Sequence, residues 1–186
     1  MSPIFVRPVR EQLEHDRLIR FLQTKYKRKF DAAINVGDEQ AAPVKIGQGT
    51  FFPDIVLMEG KKLAGLVEVE TGESVNNLEA LAQWVHFSRA RVPFHLYVPV
   101  QAYDVARRLC EANQVRPAEV WTYRPMIEGF DLVRIFHDPS ATTPAGGPKK
   151  PQAKSPAKPL KKPVPAKRAK KKKPKPAKAA KKSGKR

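Results

Sequence analysis

The segment PDIVLMEGKKLAGLVEVET, residues 53–71, decides the fold of this chain of 186 residues. Two apolar runs flank the turn-forming sequence EGKK, and this pattern predicts a β-hairpin. Side chains alternate along a strand, so a turn formed by residues 60–62 would place Asp54 opposite Glu68. Glu70 would then point to the same side as Glu68. The hairpin is therefore predicted to gather three carboxylates at the end of two neighbouring strands.

The crowding of these carboxylates suggests a metal site. Like charges placed opposite each other destabilise a pair of strands, and a divalent cation removes the repulsion because carboxylate oxygens are natural ligands of Mg²⁺. The end of a strand is also where many enzymes built on sheets keep their sites. The alternative is that Glu68 and Glu70 face water on an amphipathic strand, which is common in antiparallel sheets.

The remaining pattern up to residue 140 predicts an α/β fold. Apolar residues at helical spacing predict helices, and short apolar runs between turn residues predict strands. The strand–helix–strand succession after the hairpin predicts a parallel crossover in a mixed sheet, with the element order α-β-β-β-α-β-α-β. The predicted helices are residues 11–25, 74–90 and 102–115, and the predicted strands are residues 30–36, 52–58, 63–70, 94–100 and 119–123. Residues 44–46 and 131–137 are further candidates for short strands.

The second predicted helix has Ser74 as its expected N-cap. Its apolar residues lie on more than one face, so we expect burial of Leu78, Leu81 and Trp84 among others. Cys110 lies in a helical pattern and is expected to pack as a small apolar residue. A single cysteine excludes an internal disulfide, and no Cys/His cluster has zinc spacing, which favours a reducing setting.

The first predicted helix carries two acids on its core-facing side. Glu11 and Glu14 lie on the same stripe as Leu18. Acidic residues are unusual on such a stripe. They either complement the positive end of the helix dipole or serve a site at the end of the helix.

The sequence Pro53-Asp54, followed after thirteen residues by Glu68-Val69-Glu70, resembles the signature of the PD-(D/E)xK superfamily of restriction-endonuclease-like nucleases. The α-β-β-β-α-β core of that superfamily matches the predicted order of elements, and the resemblance covers residues 11–123. It implies a restriction-endonuclease-like mixed sheet flanked by helices. It also implies that Asp54 and Glu68 bind Mg²⁺, or Mn²⁺, with Glu14 or Glu11 as an additional ligand.

Two positions bear on whether such a site is active. Glu70 replaces the Lys of the signature, and it could act as general base, help to hold a second metal or mark a site that has lost activity. The segment Gln83-Trp84-Val85-His86-Phe87 is similar to the QxxxY motif of RecB-like nucleases, with Phe87 in place of Tyr, which implies a catalytic role for Gln83. Ordinary helix composition explains the same spacing.

The C-terminal segment differs from the rest in composition. Residues 141–186 contain 18 Lys and Arg and no Asp or Glu, whereas the formal charges of the first 140 residues cancel. The segment is predicted to be disordered, and it resembles the Lys/Ala/Pro-rich tails of linker histones and bacterial histone-like proteins. We therefore predict an α/β domain at 1–138 and, at 139–186, a tail that binds nucleic acid by counterion release. The residues expected to contact nucleic acid include Lys171, Lys172, Lys173, Lys181 and Lys182.

Three functions are compatible with the sequence. The first is a metal-dependent nuclease that cleaves phosphodiester bonds in DNA and is tethered to it by the tail. The second is a catalytically inactive DNA-binding or chromatin-associated protein with a nuclease-like fold. The third is a different α/β domain whose carboxylates form structural ion pairs. No apolar run is long enough to span a bilayer, so we expect a cytoplasmic protein associated with the nucleoid or chromatin.

Overall fold

The computed structural model describes residues 8–37 and 40–141, and the Lys-rich tail with its five assigned lysines lies outside them. None of the helices in this part of the chain is long and apolar enough to cross a membrane. The helices are α1 (Val9–Tyr26), α2 (Asn77–Glu79), α3 (Val85–Phe87) and α4 (Tyr103–Ala112); a π-helical turn (Ala80–Trp84) joins α2 to α3, and a 3₁₀ turn (Val100–Ala102) precedes α4. The strands are β1 (Asp31–Ile34), β2 (Val44–Ile46), β3 (Gly49–Phe51), β4 (Ile55–Glu59), β5 (Lys62–Val69), β6 (Phe94–Pro99), β7 (Glu119–Pro125) and β8 (Phe130–His137).

Six strands form one mixed sheet in the order β1-β4-β5-β6-β7-β8. β5 and β6 run parallel, as do β6 and β7, and a helical segment connects the two strands of each pair. The other neighbouring pairs are antiparallel. This arrangement confirms the predicted α/β class, the mixed sheet and the parallel crossover. β2 and β3 stand apart as a short hairpin between β1 and β4.

The two faces of the sheet carry separate cores. α1 covers one face, where Leu18 belongs to the same buried cluster as Val67. The other helices cover the opposite face, where Trp84 shares a cluster with Leu66 and Leu96. Alternation along β5 explains the division, because Leu66 and Val67 are neighbours in sequence and point to opposite faces.

The helix predicted at 74–90 begins later than expected. Asn76 is its N-cap, and the side-chain oxygen of Asn76 accepts hydrogen bonds from the backbone N–H groups of Leu78 and Glu79. The prediction that Ser74 caps the helix is therefore wrong. Asn is at least as good an N-cap as Ser, so the later residue can take the role and the helix starts three residues further on.

The same helix is buried on one face only. Trp84 and Phe87 are buried as the pattern predicts, but Leu78 and Leu81 are exposed, so the expected burial of those two residues is wrong. A helix lying on a sheet buries a single stripe, and a second set of apolar residues then remains in contact with water. Cys110 on α4 is buried in the core of this face, which confirms its expected packing role.

The turn between β4 and β5 is shorter than predicted. Glu59 pairs with Lys62, so two residues and not three form the turn. Gly60, the first of the two, has φ of 61°, a left-handed conformation that glycine adopts without strain. Two-residue turns of this kind match the twist of the flanking strands, which explains why the hairpin forms a two-residue turn and not a three-residue turn.

A register shift between β4 and β5 compensates for the shorter turn. Leu57 pairs with Gly65 and Met58 pairs with Leu63, so Ala64 is an extra residue on β5, and beyond it Ile55 pairs with Val67. One extra residue on one strand of a hairpin moves every later pair by one position. The far end of the hairpin therefore has the predicted register, with Asp54 opposite Glu68.

Candidate carboxylate site

Asp54 and Glu68 lie next to each other where β4 begins and β5 ends. They are buried, with 8% and 3% of their surface exposed. The backbone N–H of Asp54 donates to Oε2 of Glu68 over 3.2 Å, and the backbone N–H of Val69 donates to Oδ2 of Asp54 over 2.7 Å. Backbone donors of the two strands therefore hold both carboxylates in place and offset part of their desolvation.

His15 joins this pair from α1. Its Nε2 lies 3.3 Å from Oδ2 of Asp54, and its Nδ1 lies 3.2 Å from Oδ1 of Asp16. The imidazole is buried and contacts two carboxylates, and these contacts fix its orientation. Sequence reasoning missed His15, although a signal was present: it lies four residues after Glu11 and three before Leu18, on the core-facing stripe of the helix.

Glu70 lies just beyond the end of β5 and points into the protein. It is 1% exposed, and its Oε1 accepts a hydrogen bond of 2.6 Å from Nε1 of Trp84. Its backbone is held as well: the N–H donates to the carbonyl of Tyr97, and the carbonyl accepts from the hydroxyl of Tyr123. The alternative in which Glu68 and Glu70 face water on an amphipathic strand is therefore wrong. A parallel strand on one side and helices on both faces cover this end of the hairpin.

The Trp84–Glu70 contact predicts a measurable loss of stability in Trp84→Phe. Phenylalanine retains most of the buried ring but has no N–H group, so Oε1 of the buried Glu70 loses a donor. Hydrogen bonds to charged groups contribute about 1.5–3 kcal/mol, and the free energy of unfolding in urea should fall by about that amount.

Trp121→Phe is the matched control. The Nε1 of Trp121 donates to Oε2 of Glu119 over 2.7 Å, but this pair is only half-buried. Water can replace a lost donor there, so we expect a smaller loss of stability than in Trp84→Phe. Equal losses in the two variants would show that ring size, and not the buried carboxylate, determines the effect.

The other predicted site residues lie on the helices around this cluster. Glu11 and Glu14 on α1 and Gln83 in the π-helical turn are all half-buried. Glu11 is one helical turn before His15, on the same face of α1. Oε2 of Glu11 and Oε1 of Gln83 are buried and accept no hydrogen bond from the residues that the structure describes. His15, and neither Glu11 nor Glu14, is the α1 side chain within hydrogen-bonding distance of Asp54.

The donors at this end of the sheet have the chemistry that Mg²⁺ or Mn²⁺ requires. Carboxylate oxygens of Asp54 and Glu68 are close together, and the buried oxygen of Glu11 would gain a partner from a bound cation. Within residues 8–37 and 40–141, however, no three His, Cys, Asp or Glu side chains are arranged around one point to hold a metal ion. Binding would therefore need a rotamer change in at least one of these side chains.

A second polar cluster lies on the face of the sheet that α1 covers, along β6. The hydroxyl of Tyr26 lies 2.9 Å from Nδ1 of His95 and 2.9 Å from the hydroxyl of Tyr97. Burial raises the pKa of both tyrosines and lowers the pKa of His95. These three groups are therefore neutral at pH 7, and the cluster holds no reactive phenolate.

Glu119 borders this cluster. It accepts hydrogen bonds from Nε1 of Trp121 over 2.7 Å and from Arg134 over 2.9 Å, and it lies 3.9 Å from His95. Burial alone would raise the pKa of Glu119, but the hydrogen bond from Trp121 and the neighbouring His95 and Arg134 hold it below its ordinary value.

Glu119→Gln is therefore expected to reduce the acid sensitivity of the fold. The folded-state pKa is depressed, so ionised Glu119 contributes stability above the unfolded-state pKa of about 4.5, and this contribution is lost as the pH falls through the folded-state pKa. The melting temperature of the wild type should fall more steeply below about pH 4.5 than that of the variant. Glu128→Gln, which changes an exposed acid between β7 and β8, should retain the wild-type slope. Parallel curves for wild type and Glu119→Gln would contradict the assignment.

Comparisons with protein-family models, with curated proteins and with solved structures give no match to this chain.

Proposed function

We propose that the chain is a metal-dependent phosphodiesterase that cleaves DNA, built on a restriction-endonuclease-like sheet. The observation that carries the proposal is the pairing of two buried carboxylates, Asp54 and Glu68, at the end of adjacent strands. Buried acids that repel each other are costly unless a function or a cation compensates for them. The mixed sheet with α1 on one face and the other helices on the opposite face agrees with the element order of that superfamily.

Asp54 and Glu68 are the residues that would hold the cation, with Glu11 or Glu14 as a further ligand from α1. When bound, Mg²⁺ or Mn²⁺ would polarise the scissile phosphate and make water more acidic. Oxygen ligands from rigid strands suit this role, because the backbone N–H groups of Asp54 and Val69 already fix the orientation of both carboxylates.

His15 would act as a positioning residue for Asp54. It contacts the same oxygen, Oδ2, that accepts the hydrogen bond from Val69. Together with the N–H of Val69, the imidazole would hold this oxygen in place while no cation is bound.

The proposed role of Glu70 differs from that of the Lys that it replaces in the signature. Its hydrogen bond with Trp84 and its 1% exposure keep it away from bulk water. A carboxylate held in this way can take a proton from a water inside the site.

A second candidate function is a DNA-binding protein that has lost catalysis. The same Glu70–Trp84 contact favours it, because a carboxylate committed to an indole N–H cannot stabilise the negative charge that develops on a phosphate as a Lys does. In both candidates the basic tail would hold the chain on DNA by counterion release without sequence preference.

Conversion of supercoiled plasmid to nicked circles by the full chain tests the proposal. We expect nicking with Mg²⁺ or Mn²⁺, none with EDTA, and none with Ca²⁺, which occupies carboxylate sites but demands less rigid geometry. Binding of plasmid without nicking under every metal condition would favour the second candidate.

A further inference from the structure

We propose that a cleft beside the starts of β6 and β7 binds the phosphate groups of a nucleic-acid backbone. The cleft has a volume of about 620 Å³ and lies where α3 and α4 end, close to the starts of β6 and β7. Three of its lining residues are Arg89, Arg91 and Arg116, and none of its lining residues is acidic.

The three arginines form no salt bridge with any acid that the structure describes. Their side chains are exposed, and within the described residues none of the three guanidinium groups makes a hydrogen bond or an ion pair. Other arginines of the domain have acidic partners: Arg107 lies 2.6 Å from Glu111, and Arg134 lies 2.9 Å from Glu119. A cluster of three unpaired guanidinium groups in one concave surface produces a local positive potential that attracts anions.

Asp138 is an acid whose charge interacts with Arg116. It accepts hydrogen bonds from the hydroxyl and the backbone N–H of Ser140, over 2.6 and 2.8 Å. These hydrogen bonds lower the pKa of Asp138 more than the positive charge of Arg116 does. In the described residues Asp138 forms no hydrogen bond or salt bridge with Arg116.

A purely structural role would be to complement the negative ends of the two helices that finish at the cleft. That role requires guanidinium groups that donate to the last helical carbonyls, and the described residues contain no such hydrogen bond from Arg89, Arg91 or Arg116. The planar guanidinium fork instead matches the oxygens of a phosphate, which it can bind with two parallel hydrogen bonds.

The apolar wall of the cleft favours a nucleotide chain over a free inorganic ion. Leu81, which is 48% exposed, and Val85 line the cleft beside the arginines. Sugar and base edges can cover this apolar surface while the phosphates contact the guanidinium groups. The choice of a nucleic acid as the ligand rests on the proposed action on DNA. The binding of phosphate by the three arginines does not depend on that proposal.

Arginine side-chain NMR signals of the full chain test the site without interference from the lysine-rich tail. We expect the Nε–H signals of Arg89, Arg91 and Arg116 to shift on addition of pyrophosphate, and again on addition of a short DNA duplex. The double variant Arg89→Gln/Arg116→Gln should lower pyrophosphate affinity at the remaining Arg91 by about tenfold or more. Arg124→Gln is the matched control, because Arg124 is exposed at the far end of β7 and should leave the affinity unchanged.

Two outcomes would overturn the inference. Equal shifts at Arg124 and at the cleft arginines would mean a general ionic effect and no site. Shifts with pyrophosphate but none with DNA would overturn the nucleic-acid occupant. Failure of the proposed function is distinguishable, because a chain that never nicks plasmid but shows the cleft shifts with both ligands retains this binding site.

Discussion

Asp54→Asn and Glu68→Gln are each expected to lower metal-dependent DNA cleavage by at least about a hundredfold while the domain stays folded. Each change removes a negative charge that a cation needs but keeps the size of the side chain. At about 5 Å and an effective dielectric constant of about 20, one like-charge pair costs on the order of 3 kcal/mol. The melting temperature without metal should therefore stay the same or rise, and the increase caused by Mg²⁺ or Mn²⁺ in the wild type should disappear.

Asp54→Ala separates the charge of this residue from its hydrogen bond. Asparagine still offers an oxygen to the N–H of Val69, whereas alanine leaves that buried N–H without its acceptor. We expect Asp54→Ala to lose about 1–3 kcal/mol of stability that Asp54→Asn retains. The opposite pattern, a destabilised Asp54→Asn and no effect of metal on the wild type, would mean that Asp54 only forms a structural ion pair with His15.

Ending the chain after Ser140 is expected to remove most of its affinity for DNA. The first 140 residues have no formal net charge, and the removed segment carries the whole excess of 18 positive charges. If about six to ten lysines engage phosphates, the affinity of the full chain should fall about a thousandfold or more between about 50 and 200 mM salt. The shortened chain should bind far more weakly at low salt and show a much smaller slope.

Fluorescence anisotropy with a labelled duplex at several salt concentrations measures both quantities. The cut lies just after the turn in which Ser140 donates to Asp138, so these two hydrogen bonds are preserved and the bond from the N–H of Ala141 to the carbonyl of Asp138 is lost. A shortened chain with the affinity and salt slope of the full chain would place the main electrostatic contact in the domain. The arginine cleft would then be the first place to look for it.

The sequence predicts the hairpin and its carboxylates well because both depend on local periodicity. Alternation in β5 and the register at its end are properties of neighbouring residues, and the pairing of Asp54 with Glu68 follows from them. The turn and strand pairing that lead to this register nevertheless differ from the predicted ones. A shorter turn and a bulge cancel each other, and neither has a clear signal in the residues EGKK or in the apolar run after them.

The partners of the carboxylates are less accessible to sequence reasoning because they come from distant parts of the chain. His15 and Trp84 are 39 and 14 residues away from their respective partners, Asp54 and Glu70. Helical periodicity predicts which face each residue occupies but not how far along the sheet the helix lies. The arginine cleft is hidden for the same reason, since two of its arginines follow one helix and the third follows another.

The π-helical turn at Ala80–Trp84 has an evolutionary consequence. Such a turn holds one residue more than an α-helical turn, and this is the geometry that a single-residue insertion leaves in a helix. Deleting one residue would rotate everything before it by about 100° relative to Trp84. Relatives that lack the insertion should have a regular α-helix here, with a different partner for the acid at position 70. In an alignment of relatives, a one-residue gap in this helix should therefore mark the chains that lack the Glu70–Trp84 contact, even where the rest of the sequence has diverged.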